Sequence, residues 1–299
     1  MDNCLVRLTQ MKDQLPPAQR RAAAFLLDNT HAMSGLTISR MAEACGVSSA
    51  TLARLCRTLN YKGFKDFSLA LSIAAATHPE ETLAYADIQP TDDLRTICAS
   101  VTRHNQAAIT DTMSVLNMEN MEEVVSLLHQ ARRVDFYGVG VSALVAMDAQ
   151  MKFQRLGKET QTSLDPHIQV VTAASLKPGD AAVLFSYTGE TGDTLDTLKA
   201  IRRSGATAVS VTRMGQNRLS SLADLALYVA TSETLVRSAA MSSRMSMMHL
   251  VDIIFSAVVT RSYEQYKPCL DPVSYTHLTL PTTYSVYISV VAVSLQTKT

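Results

Sequence analysis

In the eleven residues from Ala181 to Thr191 (AAVLFSYTGET), an apolar run of five gives way to Ser186, Thr188, Gly189 and Thr191. A helix cap uses one side-chain oxygen, so three hydroxyls and a glycine offer more donors than a cap needs. Backbone NH groups and hydroxyls gathered at the positive end of a helix dipole suit a phosphate or another small anion. This turn is therefore the expected ligand site, against the plainer reading of an ordinary strand-to-helix turn. A second turn, Gly138-Val139-Gly140-Val141-Ser142, would bring Gly140 and Ser142 to the same ligand.

Two enzyme readings compete. Gly138-x-Gly140-x-x-Ala143 formally satisfies a dinucleotide fingerprint, with Glu159 about twenty residues on as a ribose partner. A dinucleotide, however, does not require the second, hydroxyl-rich turn, and the paired turns fit a phosphorylated small molecule better. A sugar-phosphate isomerase would need a positioned acid/base, for which Glu190, Glu233 and His249 are candidates. Each also has a plain reading: a helix-start charge, a loop or cap residue, and a helix residue in a Met-rich core. Catalysis, cofactor and metal are not expected.

The turns must be held by strands and helices. Val134 to Tyr137, Ala181 to Phe185, Ala206 to Thr212 and Leu225 to Thr231 are apolar runs that alternate with helical spacing, and Met245 to Val259 reads as a long apolar helix. Such alternation predicts a parallel sheet with helices on both faces. In such sheets ligands sit at the carboxyl ends of the strands, where both turns fall.

The first 75 residues read as helices. Within Thr37 to Asn60, Ile38, Met41, Ala42 and Cys45 fit one helix face, and Val47, Leu52 and Leu55 fit another, with Gly46 in the turn between. This is the spacing of a helix-turn-helix. Ser48 or Ser49 would cap the second helix, whose outward face would carry Ser49, Ala50, Ala53, Arg54 and Arg57 and no acidic charge. The residues expected at DNA are Ser48, Ser49, Thr51, Arg54 for a base, Arg57 for a phosphate, and Lys62 and Lys65 at the edge. A helical hairpin with a solvated basic face is the alternative.

Composition is consistent with this division. The chain has 299 residues, 47% of them hydrophobic, with 27 basic and 27 acidic side chains. Residues 1–75 hold nine basic and five acidic side chains, so a basic head precedes an acidic body. Five scattered cysteines without C-x-x-C pairs read as reduced thiols. Asp2 and Asn3 stand where a signal peptide would be positive, and no apolar run in the body approaches a bilayer span, so a cytoplasmic protein without a membrane partner is expected.

The head, TISRMAEACGVSSATLARLCRTLNYKGFKDF, resembles the helix-turn-helix of RpiR-type bacterial transcription regulators. The body, with GVGVS, SYTGET and SRMSMMHLVDIIF, resembles the sugar isomerase (SIS) domain those regulators carry, and the resemblance spans about residues 1–267. It implies an all-α helix-turn-helix domain followed by an α/β SIS domain with a parallel sheet flanked by helices. It also implies operator DNA as partner, a sugar phosphate that is sensed and generally not turned over, and a homodimer or higher homo-oligomer. Carried over by position, Ser142, Ser186, Thr188 and Thr191 would bind the phosphate, and Arg54 and Arg57 would face DNA. The helix from Ser242 to Thr260 would help line the site or a dimer interface. The expected domains are 1–75, a linker at 76–93 containing Pro79 and Pro90, and 94–272. Residues 273–299 hold one charged side chain, and VSYTHLTLPTTYSV resembles translated adapter sequence, so this tail is expected to be foreign to the native chain, with a natural β-rich extension as the alternative.

Overall fold

A computed structural model describes residues 3–77, 91–231 and 240–270. Most of the expected linker, the tail and Glu233 lie outside the described residues.

The head is helical: α1 (Cys4–Met11), a 3-10 turn (Lys12–Gln14), α2 (Pro17–Asp28), α3 (Thr30–Met33), α4 (Ile38–Ala44), α5 (Ser49–Thr58) and α6 (Phe64–Thr77). Asn3 caps α1 by accepting from Leu5 N, and Pro17 opens α2, where its missing NH costs nothing. Leu8, Leu26, Met41, Leu52, Leu55, Phe67 and Leu71, all fully buried, meet in one core. Helix α6 runs two residues past the expected start of the linker.

The body begins with α7 (Leu94–Val115), capped by Asp93 through a 2.8 Å bond from Thr96 N, and α8 (Met118–Gln130). Then follow β1 (Val134–Gly138), α9 (Val141–Arg155), α10 (Pro166–Ala174), β2 (Ala181–Phe185) and α11 (Gly192–Ser204). The chain continues through β3 (Thr207–Arg213), α12 (Arg218–Leu222), β4 (Leu225–Val229), α13 (Met241–Arg261) and α14 (Tyr263–Leu270). The four strands pair in parallel in the order β1-β2-β3-β4, with Gly138 opposite Phe185 and Phe185 opposite Val211. Along each strand, side chains alternate between two covered faces. Phe136, Val183, Phe185, Val209 and Val211 pack with α8, α9 and α13, whereas Tyr137, Ala182, Leu184 and Ala208 pack with residues of α10 and α11. Among the described residues no helix is long and apolar enough to cross a membrane.

The head packs against the carboxyl edge of the sheet. Its core continues into Val115 at the end of α7, Met214 just after β3 and Ala230 just after β4.

Candidate ligand site and nucleic-acid interface

Because Gly138 and Phe185 are register partners, the turns that follow β1 and β2 emerge side by side, one strand spacing apart. Gly138 is needed for close packing: a Cβ there would stand 2.6 Å from the backbone oxygen of Ser142 in the first turn of α9. Gly140 adopts φ +61 as the residue preceding α9, a backbone state that favours glycine. Ser142 is half-buried in that first turn. Neither α9 nor α11 has a side-chain cap at its start, so their leading NH groups stay available to an incoming acceptor.

In the second turn Ser186 is buried and its hydroxyl lies 3.1 Å from that of Thr191, while Thr188 Oγ1 accepts from Glu190 N at 3.2 Å. Gly189 N donates to Ser186 O, and Gly189 has φ +69. A Cβ on Gly189 would overlap the side-chain amide of Asn217, so this glycine serves a close approach between two loops. The turn thus collects two adjacent hydroxyls and a helix start in one place. Thr194, one turn into α11, is buried, and its hydroxyl finds no partner among the described residues.

Several supports of the site were not read from the sequence. Asn217 caps α12 by accepting from Ser220 N (2.8 Å) and donates to Thr212 Oγ1 (3.0 Å). Its position before RLSSL is a cap signal that sequence could have yielded. Gln169, fully buried, donates to Gly138 O and Ser163 O, both at 2.7 Å, and so fixes the end of β1. At the opposite end of that strand, buried Asp135 accepts from Arg133 Nη2 (2.7 Å), Tyr137 Oη (2.8 Å) and Gln161 N (3.0 Å). Its hydrogen bond raises the Arg133 pKa, and burial followed by the Asp135 charge raises that of Tyr137. This is a satisfied structural network.

In the head, Gly46 (φ +63) ends α4, with Val47 N returning to Ala42 O at 2.9 Å. Ser48 then caps α5, its Oγ accepting from Thr51 N at 3.1 Å. Arg54, Arg57, Lys62, Lys65 and Ser48 are exposed and Ser49 is half-buried. Thr51 departs from the expectation. It is buried, and its hydroxyl lies 2.9 Å from Ser48 Oγ, so it closes the start of α5 and does not join the outer face.

Comparison with known proteins agrees with both halves. Residues 2–78 match the helix-turn-helix domain of the rpiR family, and residues 127–257 match the SIS domain. An HTH-type transcriptional regulator of Caldanaerobacter subterraneus subsp. tengcongensis is 32% identical over 263 residues, 88% of this chain and 93% of that one. This chain belongs to the rpiR family of helix-turn-helix regulators. Another of its relatives, the HTH-type transcriptional regulator YbbH of Bacillus subtilis, is 33% identical over 261 residues, 87% of this chain and 92% of that one. Among solved structures, the Vibrio vulnificus NanR protein complexed with ManNAc-6P is 26% identical, with a TM-score of 0.58 over 94% of this chain and all of that one.

In this rpiR-family chain the dinucleotide reading loses its ribose partner. Glu159 pairs beside Val134, at the amino end of β1 and away from the glycine turn, and its carboxylate is held by Arg132. Glu190 Oε1 accepts from Arg218 N at 2.8 Å, and His249 is half-buried on α13. Helix α13 turns Ser242 and Ser246 towards Asn105 and Ala108 O of α7, so its buried face serves the interior of the fold.

Proposed function

We propose that this chain is a cytoplasmic, homodimeric DNA-binding regulator whose SIS domain senses a phosphorylated sugar and thereby alters operator binding, without turning the sugar over. The observation that carries this reading is the pair of adjacent turns at the carboxyl edge of the sheet, against which the DNA-binding head also packs. Ser186, Thr188, Gly189 and Thr191 from one turn and Gly140 and Ser142 from the other hold the phosphate. The bound ManNAc-6P of the NanR relative supports that ligand class.

On the head, Arg54 reads a base in the major groove and Arg57 meets a phosphate, with Ser48, Ser49, Lys62 and Lys65 along the backbone. Two-fold symmetry of the dimer implies a palindromic operator. A non-catalytic role is supported by the relatives, which are named as transcriptional regulators.

Thermal shift against a panel of sugar phosphates, with nicotinamide dinucleotides as controls, tests the reading. A rise in Tm with a sugar phosphate is the expected outcome. Stabilisation by a dinucleotide alone would return the oxidoreductase reading, and consumption of a stabilising sugar phosphate, followed by NMR, would make the chain an isomerase.

A further inference from the structure

The candidate phosphate turn is hydrogen-bonded to the DNA-binding head by two routes, and both end on glutamines of the same short segment. The first route leaves through Gly189 and Glu190. Gly189 O accepts from Leu219 N (3.0 Å), Glu190 Oε1 accepts from Arg218 N (2.8 Å), and the Asn217 amide packs on Gly189. Asn217 follows Gly215 and Gln216, and Gln216 N donates to Gln14 Oε1 at 2.9 Å. Gly215, with φ +122, lies so close that a Cβ would overlap the Gln14 amide.

The second route leaves through Tyr187. Its hydroxyl lies 2.9 Å from that of Thr231, whose carbonyl accepts from Gln10 Nε2 at 2.6 Å. Gln10 and Gln14 stand four residues apart, on either side of the buried Met11, at the end of α1 and in the turn after it. The same α1 holds the far end of α5: Arg7 Nη1 donates to Leu59 O at 3.0 Å, and its guanidinium lies over the Tyr61 ring. Beyond the 215–219 loop and Thr231, α1 and the turn after it thus lie between the phosphate turn and the helix that carries Arg54 and Arg57, gripped at both ends.

We propose that Gln10 and Gln14 are the contacts through which occupancy of the Ser186–Thr191 turn is communicated to the DNA-binding head. The proposal rests on the sugar-phosphate-sensor reading above. An anion drawn onto Ser186, Thr188 and Thr191 competes for the hydroxyls and amides that set the turn. Gly189 and Tyr187 are part of that turn, so a change in it reaches both glutamines. Two routes onto one short segment, the end of α1 and the turn after it, resist a partial response, which favours two discrete head placements with different operator affinity.

The test uses the full chain, N-acetylmannosamine 6-phosphate as probe, and a duplex selected by the unmodified chain from a random pool. Operator affinity is measured by anisotropy with and without saturating probe, and probe binding by calorimetry. The unmodified chain is expected to show an affinity ratio in the range of about 5- to 150-fold. In the Gln10→Ala/Gln14→Ala double variant, and separately in Gly215→Ala, the ratio falls to within about twofold of one while probe and duplex still bind. The single variants separate coupling from general loosening. Gln14→Glu keeps an acceptor for Gln216 N and retains the response, whereas Gln10→Glu places an acceptor against the Thr231 carbonyl and loses it. An undiminished ratio in the double variant, or equal behaviour of the two Glu variants, overturns the proposal and leaves the sensor reading intact. No response of the unmodified chain to N-acetylmannosamine 6-phosphate or to any other sugar phosphate of the panel overturns the sensor reading, and the proposal with it.

Discussion

At the scale of single residues, the basic side chains of the head divide by what they touch. Arg7 is held by Leu59 O and Tyr61, and Arg20 donates to Leu15 O, so both serve the fold. Arg54 and Arg57 are exposed on the outer face of α5. If Arg54 reads a base, Arg54→Ala weakens binding to the cognate duplex by about 1–3 kcal/mol and relaxes preference at one position. Arg57→Ala weakens all sequences alike and reduces the salt slope by about one. Titrations of cognate and scrambled duplexes at several salt concentrations distinguish the two, and equal behaviour would remove the base contact. On the inner face of the same helix, Cys56 is buried, and burial pushes its thiol up to about 12 from 9.0. The unfolded chain therefore ionises first, so the stability carried by the neutral thiol is complete below about pH 9 and is lost as pH rises towards 12. Urea midpoints should fall from pH 8 to pH 10.5, and fall less in Cys56→Ala. An identical pH dependence in the variant would show that Cys56 is not the titrating group.

At the scale of elements, the two turns work because parallel strands in register deliver them to one edge. Gly189→Ala forces a side chain into left-handed backbone, a cost of about 1–2 kcal/mol, and drives its Cβ into Asn217. The expected result is a lower Tm together with loss of sugar-phosphate stabilisation, and an unchanged thermal shift would relocate the site. Ser186→Ala with Thr188→Ala removes hydroxyls without that strain, so it should abolish the ligand shift while duplex binding persists. The parallel sheet, both turns and the α4–Gly46–α5 unit were legible because each is written locally: short continuous apolar runs in the strands, a spacing of three to four in the helices, and a glycine or hydroxyl where the backbone turns. Thr51, expected at DNA, lies instead on the stripe of Leu52, Leu55 and Cys56 that faces the core. Glu159 sits at a plausible distance along the chain, yet edge pairing carries it to the wrong end of β1. The approach of Asn217 to Gly189 arises only once β2 and β3 lie side by side, and the Gln14 contact 202 residues away only once the head meets the sheet, so neither has a local signature.

At the scale of the whole molecule, the head and the sensor share apolar core, which decides how the chain unfolds. Met214, buried just after β3, packs into the same cluster as Leu8, Leu26 and Phe67, and Ala230 and Val115 join it from β4 and α7. Truncating a buried methionine to alanine costs about 2–5 kcal/mol, the larger values where the surroundings cannot collapse into the space. Met214 sits between two bodies, so Met214→Ala should lower protection from hydrogen exchange in α1 and α2 as well as in the loop after β3. A head with a self-sufficient core would instead keep its protection, and calorimetry of the unmodified chain would then show two separate transitions. The shared core predicts one. This also bears on how the head can move. A head displaced outright by ligand would expose Met214, Ala230 and Val115 together, whereas one that pivots about them keeps the apolar contact and breaks only polar bonds at its rim. The arrangement favours the pivot, and the expected signature is ligand-induced exchange confined to residues 10–16 and 214–219, with the amides around Leu26 and Phe67 unchanged.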